Sequence, residues 1–307
     1  CLAPLLTACG GNNKWAWQDV PESKCASGTP TGFGISPHAG STRLVIYLEG
    51  GGSCYDMDTC WIDPKAANTA GYGKTEFTNE PKLKNYLIFN RDPNSGNPFA
   101  DANMAFVPYC TGDYHSGYNM RTLRGDGTSK DTYFWGGKDM DLFLTKIRAR
   151  FPDITQVWLV GTSAGGVGTT ANYYKVRDTF NVRTDVINDS GTPLNIEKPG
   201  TTLDLWGTPP LPGCETCTTH EQKVQSIRSE NPGTRYALMS FDYDNVVAKN
   251  YEIDLDTFNT SLNQTLSDYS SDANCASFTV GNPKSLPQHV IMGHFSKPAL
   301  MQAMGAW

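Results

Sequence analysis

Two kinds of apolar stretch recur along the chain. Arg43-Leu44-Val45-Ile46-Tyr47-Leu48 is almost wholly apolar and runs into Glu49-Gly50-Gly51-Gly52, which predicts a strand buried on both faces that enters a tight loop. Residues 104–107 and 156–160 read the same way, and further strands are predicted over 185–188, Tyr236–Phe241 and 276–280. Before the third of these runs, Met140, Phe143, Leu144, Ile147 and Phe151 fall at helical spacing. Arg148 and Arg150 lie where cations suit the helix dipole, and Pro152 stops the helix. A second helix is predicted over 169–180. Buried strands alternating with helices imply an α/β fold with a mostly parallel sheet covered on both faces. In such sheets chemistry gathers at the carboxyl ends of the strands. No repeat or linker divides residues 25–307, so a single domain with long insertions is expected there.

Composition narrows the setting. With 25 Lys and Arg against 31 Asp and Glu, the net charge of −6 leaves no basic footprint for nucleic acid. The 30 glycines and 19 prolines point to long ordered loops. Nine cysteines, several in turn-rich stretches, favour an oxidising compartment. At the start, the string Leu6-Thr7-Ala8-Cys9 resembles a bacterial lipobox. Residues 1–8 are accordingly expected to be a signal-peptide remnant, Cys9 a lipidation site and residues 9–24 a tether. Membrane contact would then be by that anchor alone, on an extracytoplasmic lipoprotein held at the cell envelope, or the protein would be secreted. The sequence leaves the oligomeric state open.

The strongest local signal is Gly161-Thr162-Ser163-Ala164-Gly165. It follows a predicted buried strand and precedes a helix-compatible segment, the context in which a sharp turn lifts a serine hydroxyl above a sheet. Ser163 is the candidate nucleophile. Its oxyanion would need main-chain donors, for which Ala164 and the glycine loop, through Gly51 and Gly52, are the candidates. A triad in the order Ser, acid, His leaves His220, His289 and His294 as possible bases. His220 sits in a polar loop with Cys214 and Cys217, two thiols and one imidazole without a fourth ligand, so a loop disulfide is the simpler reading and no metal is expected. His289 and His294 compete. Asp242, directly after the strand Tyr236–Phe241, is the candidate acid; Asp244 and Asp189 are rivals for which turn roles are expected.

Four segments together resemble one family: Leu48-Glu49-Gly50-Gly51-Gly52-Ser53-Cys54, Val107-Pro108-Tyr109-Cys110-Thr111-Gly112-Asp113, Gly161-Thr162-Ser163-Ala164-Gly165-Gly166 and Asp189-Ser190-Gly191. Their order and spacing are similar to the pectin acetylesterase and Notum carboxylesterase family. That resemblance implies an α/β-hydrolase fold and serine carboxylesterase chemistry without a cofactor. It puts the nucleophile on Ser163, the oxyanion donors on Gly51, Gly52 and Ala164, and the acid on Asp242. The family histidine best matches Ser285-Leu286-Pro287-Gln288-His289, which makes His289 the preferred base and His294 the runner-up. Here no cysteine follows Ser285, and Ser53 stands where plant members carry Trp. Pairing Cys25 with Cys110 also resembles the family, and Cys54 and Cys60 lie six apart in one loop. Once Cys1 and Cys9 are set aside, Cys214, Cys217 and Cys275 leave an odd count.

The expected substrate is a short acyl ester, acetyl above all, on an extracellular polysaccharide such as pectin. A lipid or polyester esterase of the same fold, and a non-catalytic surface lipoprotein that keeps the fold as a binding module, are the rivals.

Overall fold

The apolar runs become the centre of one sheet, and their lack of alternation has a direct cause. The computed structural model describes residues 13–197, 202–286 and 288–305. Its main sheet contains β1 (Ala16–Val20), β2 (Thr31–Ser36), β3 (Arg43–Leu48) and β4 (Asn103–Val107), with β5 (Asn119–Gly125) and β6 (Thr128–Phe134) forming a separate hairpin. The sheet continues with β7 (Gln156–Thr162), β8 (Arg183–Asp189), β9 (Tyr236–Phe241) and β10 (Cys275–Val280). The eight strands run in the order β1-β2-β4-β3-β7-β8-β9-β10. β1, β2 and β4 pair antiparallel, and every pairing from β4 through β3 to β10 is parallel. This is the α/β-hydrolase arrangement.

Val45 and Tyr47 face one core with Met104, Phe106, Trp158 and Val160. Leu44, Ile46 and Leu48 face the other with Val157, Leu159, Phe143 and Ile147. Both faces of β3 are therefore dry, and a strand with two dry faces has no polar positions to alternate. The second core includes α1 (Gly136–Arg150), whose Met140, Phe143, Leu144 and Ile147 are buried at the predicted spacing. α2 (Ala164–Phe180) starts five residues before the expected 169, because the serine turn passes straight into its first turn. α3 (His220–Glu230), α4 (Asn245–Asn250), α5 (Leu255–Ser270) and α6 (Ser296–Gly305) complete the covering.

Two parts depart from the sequence reading. The stretch expected as a tether contains β1, which pairs with β2 from Ala16 opposite Ile35 to Val20 opposite Thr31. β2 itself, Thr-Gly-Phe-Gly-Ile-Ser, is hard to read as a strand because Gly32 and Gly34 replace side chains on one face. A Cβ at Gly34 would overlap the Phe77 ring, and one at Gly32 the Gln18 carbonyl. The β5–β6 hairpin does carry a signal: Asp126 and Gly127 both have left-handed φ, at 48° and 69°, as an Asp-Gly turn requires.

Disulfides join Cys25 to Cys110, Cys54 to Cys60 and Cys214 to Cys217, leaving Cys275 as the free thiol among the described residues. They fit an oxidising compartment. Cys9 lies outside the described residues. Among those residues no helix is long and apolar enough to cross a membrane.

Candidate active site

β7 ends at Thr162, α2 begins at Ala164, and the single residue between them turns the chain. Ser163 does so at φ 53° and ψ −121°, a conformation that costs a non-glycine residue about 1–3 kcal/mol and persists only where its surroundings enforce it. The enforcement is visible. Ser163 N–H donates to the Asp189 carbonyl at 2.7 Å, and its carbonyl accepts from Val167 at 3.1 Å. Glycines flank it because a Cβ at Gly161 would overlap the Gly165 carbonyl and one at Gly165 the Leu48 carbonyl.

The structure brings Ser163 and His289 together, with His289 Nε2 2.7 Å from Ser163 Oγ. His289 Nδ1 lies 2.6 Å from Oδ2 of Asp244. A carboxylate oxygen accepts, so Nδ1 carries the proton and Nε2 is left as an acceptor for the serine hydroxyl. Asp244 is fully buried. Its other oxygen, Oδ1, accepts from Val246 N and Val247 N, both at 3.0 Å, capping α4.

Asp242 does not take the place assigned to it. Its N–H continues the ladder to the Val280 carbonyl at 3.0 Å, its carbonyl accepts from Asn259, and its carboxylate lies beside Gly281. The chain then turns through Tyr243, whose N–H donates to Asn282 Oδ1 at 2.9 Å, and reaches the histidine two residues later. His294 is exposed, its ring near Phe295. His220 is half-buried at the start of α3, its Nε2 2.9 Å from Thr170 Oγ1, and desolvation of the ring holds the imidazole down at about 3.

A cavity of about 840 Å³ opens beside the pair, and Gly52 and Ala164 line it together with Ser163 and His289. Gly51 packs instead against Ala67 and the Tyr109 ring, its carbonyl accepting from Ala67 N at 2.7 Å. Across the cavity, Asn250 of α4 donates to the Tyr114 hydroxyl at 3.0 Å, and Ser53 reaches that hydroxyl at 3.1 Å. Asp244 and the α4 wall are the parts that periodicity did not reveal. The available signal was Asp244 itself, an aspartate of the type that caps a helix. Among the described residues, no three His, Cys, Asp or Glu side chains are grouped to hold a metal.

Polar groups buried under the glycine loop hold its shape. Glu49 Oε2 accepts from Tyr109 N at 3.0 Å, and Lys82 Nζ lies 2.5 Å from its other oxygen. Burial nonetheless pushes the Glu49 carboxyl up to about 7. The Glu49 carbonyl accepts from His115 Nε2 at 2.8 Å, and burial lowers the His115 imidazole to about 4. An unfolded chain binds that proton below about 6.5, whereas the native state refuses it until about 4, so the histidine costs stability as pH falls through this window. Taken alone, it makes the wild type lose about 2 kcal/mol between pH 7 and pH 5. His115→Gln, whose amide can still donate to the Glu49 carbonyl, is expected to be less stable at pH 7 but to lose about 2 kcal/mol less over that interval. Urea unfolding at both pH values checks this; equal losses in the two proteins would contradict it.

A family model described as Pectinacetylesterase matches residues 17–204. The chain is 26% identical over 158 residues to the palmitoleoyl-protein carboxylesterase NOTUM of Schmidtea mediterranea, covering 50% of this chain and 28% of that protein. It is 26% identical over 174 residues to palmitoleoyl-protein carboxylesterase notum1a of Danio rerio, covering 54% and 33%. With palmitoleoyl-protein carboxylesterase NOTUM of Homo sapiens the figures are 27% over 156 residues, 50% and 30%. The match therefore spans a third or less of these relatives. The family match includes Gly52, Ser163 and Asp189 and stops before Asp244 and His289.

Proposed function

Because the chain belongs to the pectinacetylesterase family, we propose that it is a serine carboxylesterase that removes short acyl groups, acetyl above all, from an extracellular polysaccharide such as pectin. The observation that carries this reading is the unbroken series from Asp244 through His289 to Ser163, with contacts of 2.6 and 2.7 Å, at the wall of the cavity.

In this reading His289 Nε2 takes the hydroxyl proton as Ser163 Oγ bonds to the ester carbonyl carbon. The carbonyl oxygen becomes an oxyanion facing the main-chain N–H groups of Gly52 and Ala164, with Gly51 as a further candidate. Asp244 stabilises the imidazolium. The C–O bond then breaks and the alcohol leaves with the proton from Nε2. Water, deprotonated by His289, next attacks the acyl-serine, and collapse of the second tetrahedral intermediate returns the proton to Ser163 and frees the acid.

The cavity walls carry both polar groups, Thr192, Lys249 and Asn250 among them, and apolar ones such as Val246, Tyr251 and Leu255. Polar groups in the same cavity as the serine suit a sugar ester. The apolar stretch supports a second reading, a lipid ester, which also agrees with the substrate that the relatives' names describe. The three disulfides support a site of action outside the cytosol.

Acetate release from acetylated pectin, together with kcat/KM on p-nitrophenyl esters from acetyl to palmitoyl, tests the proposal. The expected result is acetate release and a preference of about tenfold or more for acetyl over dodecanoyl. The reverse order would favour the lipid ester. No hydrolysis of any of these esters would favour a binding module.

A further inference from the structure

Asp189-Ser190-Gly191 is unused by the chemistry above, yet it touches both of its reacting side chains' supports. Asp189 ends β8 and is fully buried. Its carbonyl accepts from Ser163 N at 2.7 Å, which anchors the serine turn. Its carboxylate reaches across to the loop that carries the base. Oδ1 accepts from Ile291 N at 2.9 Å, and Oδ2 from Met292 N at 2.7 Å. Ser190 extends the grip: its hydroxyl donates to Asp189 Oδ1 at 2.9 Å and accepts from Val290 N at 3.1 Å. Three consecutive amides directly after His289 are thus held by two adjacent residues.

The loop needs that hold. Val290 has φ 64° and ψ 101°, a left-handed conformation that a β-branched residue adopts only under constraint. Released, it would relax toward negative φ, and His289, one residue earlier, would move with it. Burial pushes the Asp189 carboxyl up to about 6 while the two amides and the Ser190 hydroxyl pull it down. At pH 8 it is therefore ionised, with both oxygens free to accept.

We infer that Asp189 is a positioning residue of the esterase: its main chain fixes the nucleophile's turn, its side chain fixes the base's loop, and together they set the Ser163–His289 contact. The inference rests on the proposed esterase reading for its kinetic consequence but not for its structural one. In Asp189→Asn one amide can still meet an acceptor oxygen, while the other meets the carboxamide NH₂, donor against donor. A displacement of about 1 Å in a reacting group can cost about 10²-fold.

The test compares wild type, Asp189→Asn, Ser190→Ala and Ser163→Ala at pH 8, by steady-state hydrolysis of p-nitrophenyl acetate, thermal unfolding and crystal structures. The expected result is a folded Asp189→Asn with kcat lower by about 10²-fold and KM within about threefold. His289 should also be displaced from Ser163 in its crystal structure. Ser190→Ala should lose about three- to tenfold in kcat in the same manner. A merely structural role would lower the folded fraction and leave kcat per folded molecule unchanged, and that outcome overturns the inference. Should Asp189→Asn fail to fold, Ser190→Ala decides: full kcat with an undisturbed His289 overturns the inference. If wild type and Ser163→Ala are equally inactive, the esterase reading fails. The crystal structures still judge the positioning role, with the 2.7 Å contact retained in both variants counting against it.

Discussion

Ser163→Ala and His289→Ala are each expected to lower kcat on a short ester by about 10⁶-fold, and the double variant to be no slower than either single one. In the proposed mechanism the two side chains act as a unit. Without the hydroxyl, no acyl-enzyme forms; without the imidazole, the hydroxyl keeps its proton and the leaving alcohol receives none. What survives is the cavity and its main-chain donors, good for about 10³- to 10⁴-fold over water. His294→Ala is expected to stay within about threefold, because that side chain is exposed and lies by Phe295 rather than Ser163. Steady-state hydrolysis of p-nitrophenyl acetate, with thermal unfolding to confirm the fold, measures all four proteins. Losses under tenfold in both single variants would remove the serine mechanism, and rates at background in wild type and variants alike would leave the binding module as the better account.

How far the sequence foretells this site depends on whether each feature is local. β3 and β9 have the ranges expected of them, Arg43–Leu48 and Tyr236–Phe241, because two dry faces leave an apolar run that needs no partner to be recognised. The serine turn is local as well: five consecutive residues carry both the hydroxyl and the glycines that permit its bend. β2 fails the same reading since its glycines answer to Phe77 and Gln18, one far along the chain and one on the neighbouring strand, and neither visible in Thr31–Ser36 itself. β1 was hidden for a related reason, as it becomes a strand only by pairing with β2. Between His289 and His294, helical or strand periodicity offers no choice. The choice lies in the left-handed bend at Val290 and in the buried carboxylate of Asp189, which holds the amides just beyond it.

The proposed acid shows the limit most clearly, and its exchange is the second large effect expected. Asp242 and Asp244 both follow β9, and strand position alone favours the nearer one. The backbone favours the other: Asp242 still belongs to the ladder through its bond to Val280, whereas Asp244 begins a helix whose first amides need an acceptor. One buried carboxylate serves two donors' ends, Oδ1 for α4 and Oδ2 for His289. Asp244→Asn should therefore separate the roles. Its carbonyl oxygen can keep the helix cap while its NH₂ faces Nδ1, which forces Nδ1 to accept and places the imidazole proton on Nε2, against the serine hydroxyl. A loss of about 10⁴-fold in kcat is expected, with unfolding free energy within about 1 kcal/mol of wild type. Asp244→Ala removes the cap too and should be equally slow and also less stable, by about 1 kcal/mol or more. Asp242→Asn should remain within about threefold of wild type. Kinetics and urea unfolding on the three variants decide the matter: if Asp242→Asn is the slow protein and Asp244→Asn is not, the acid lies at the strand end and Asp244 serves only as the cap of α4.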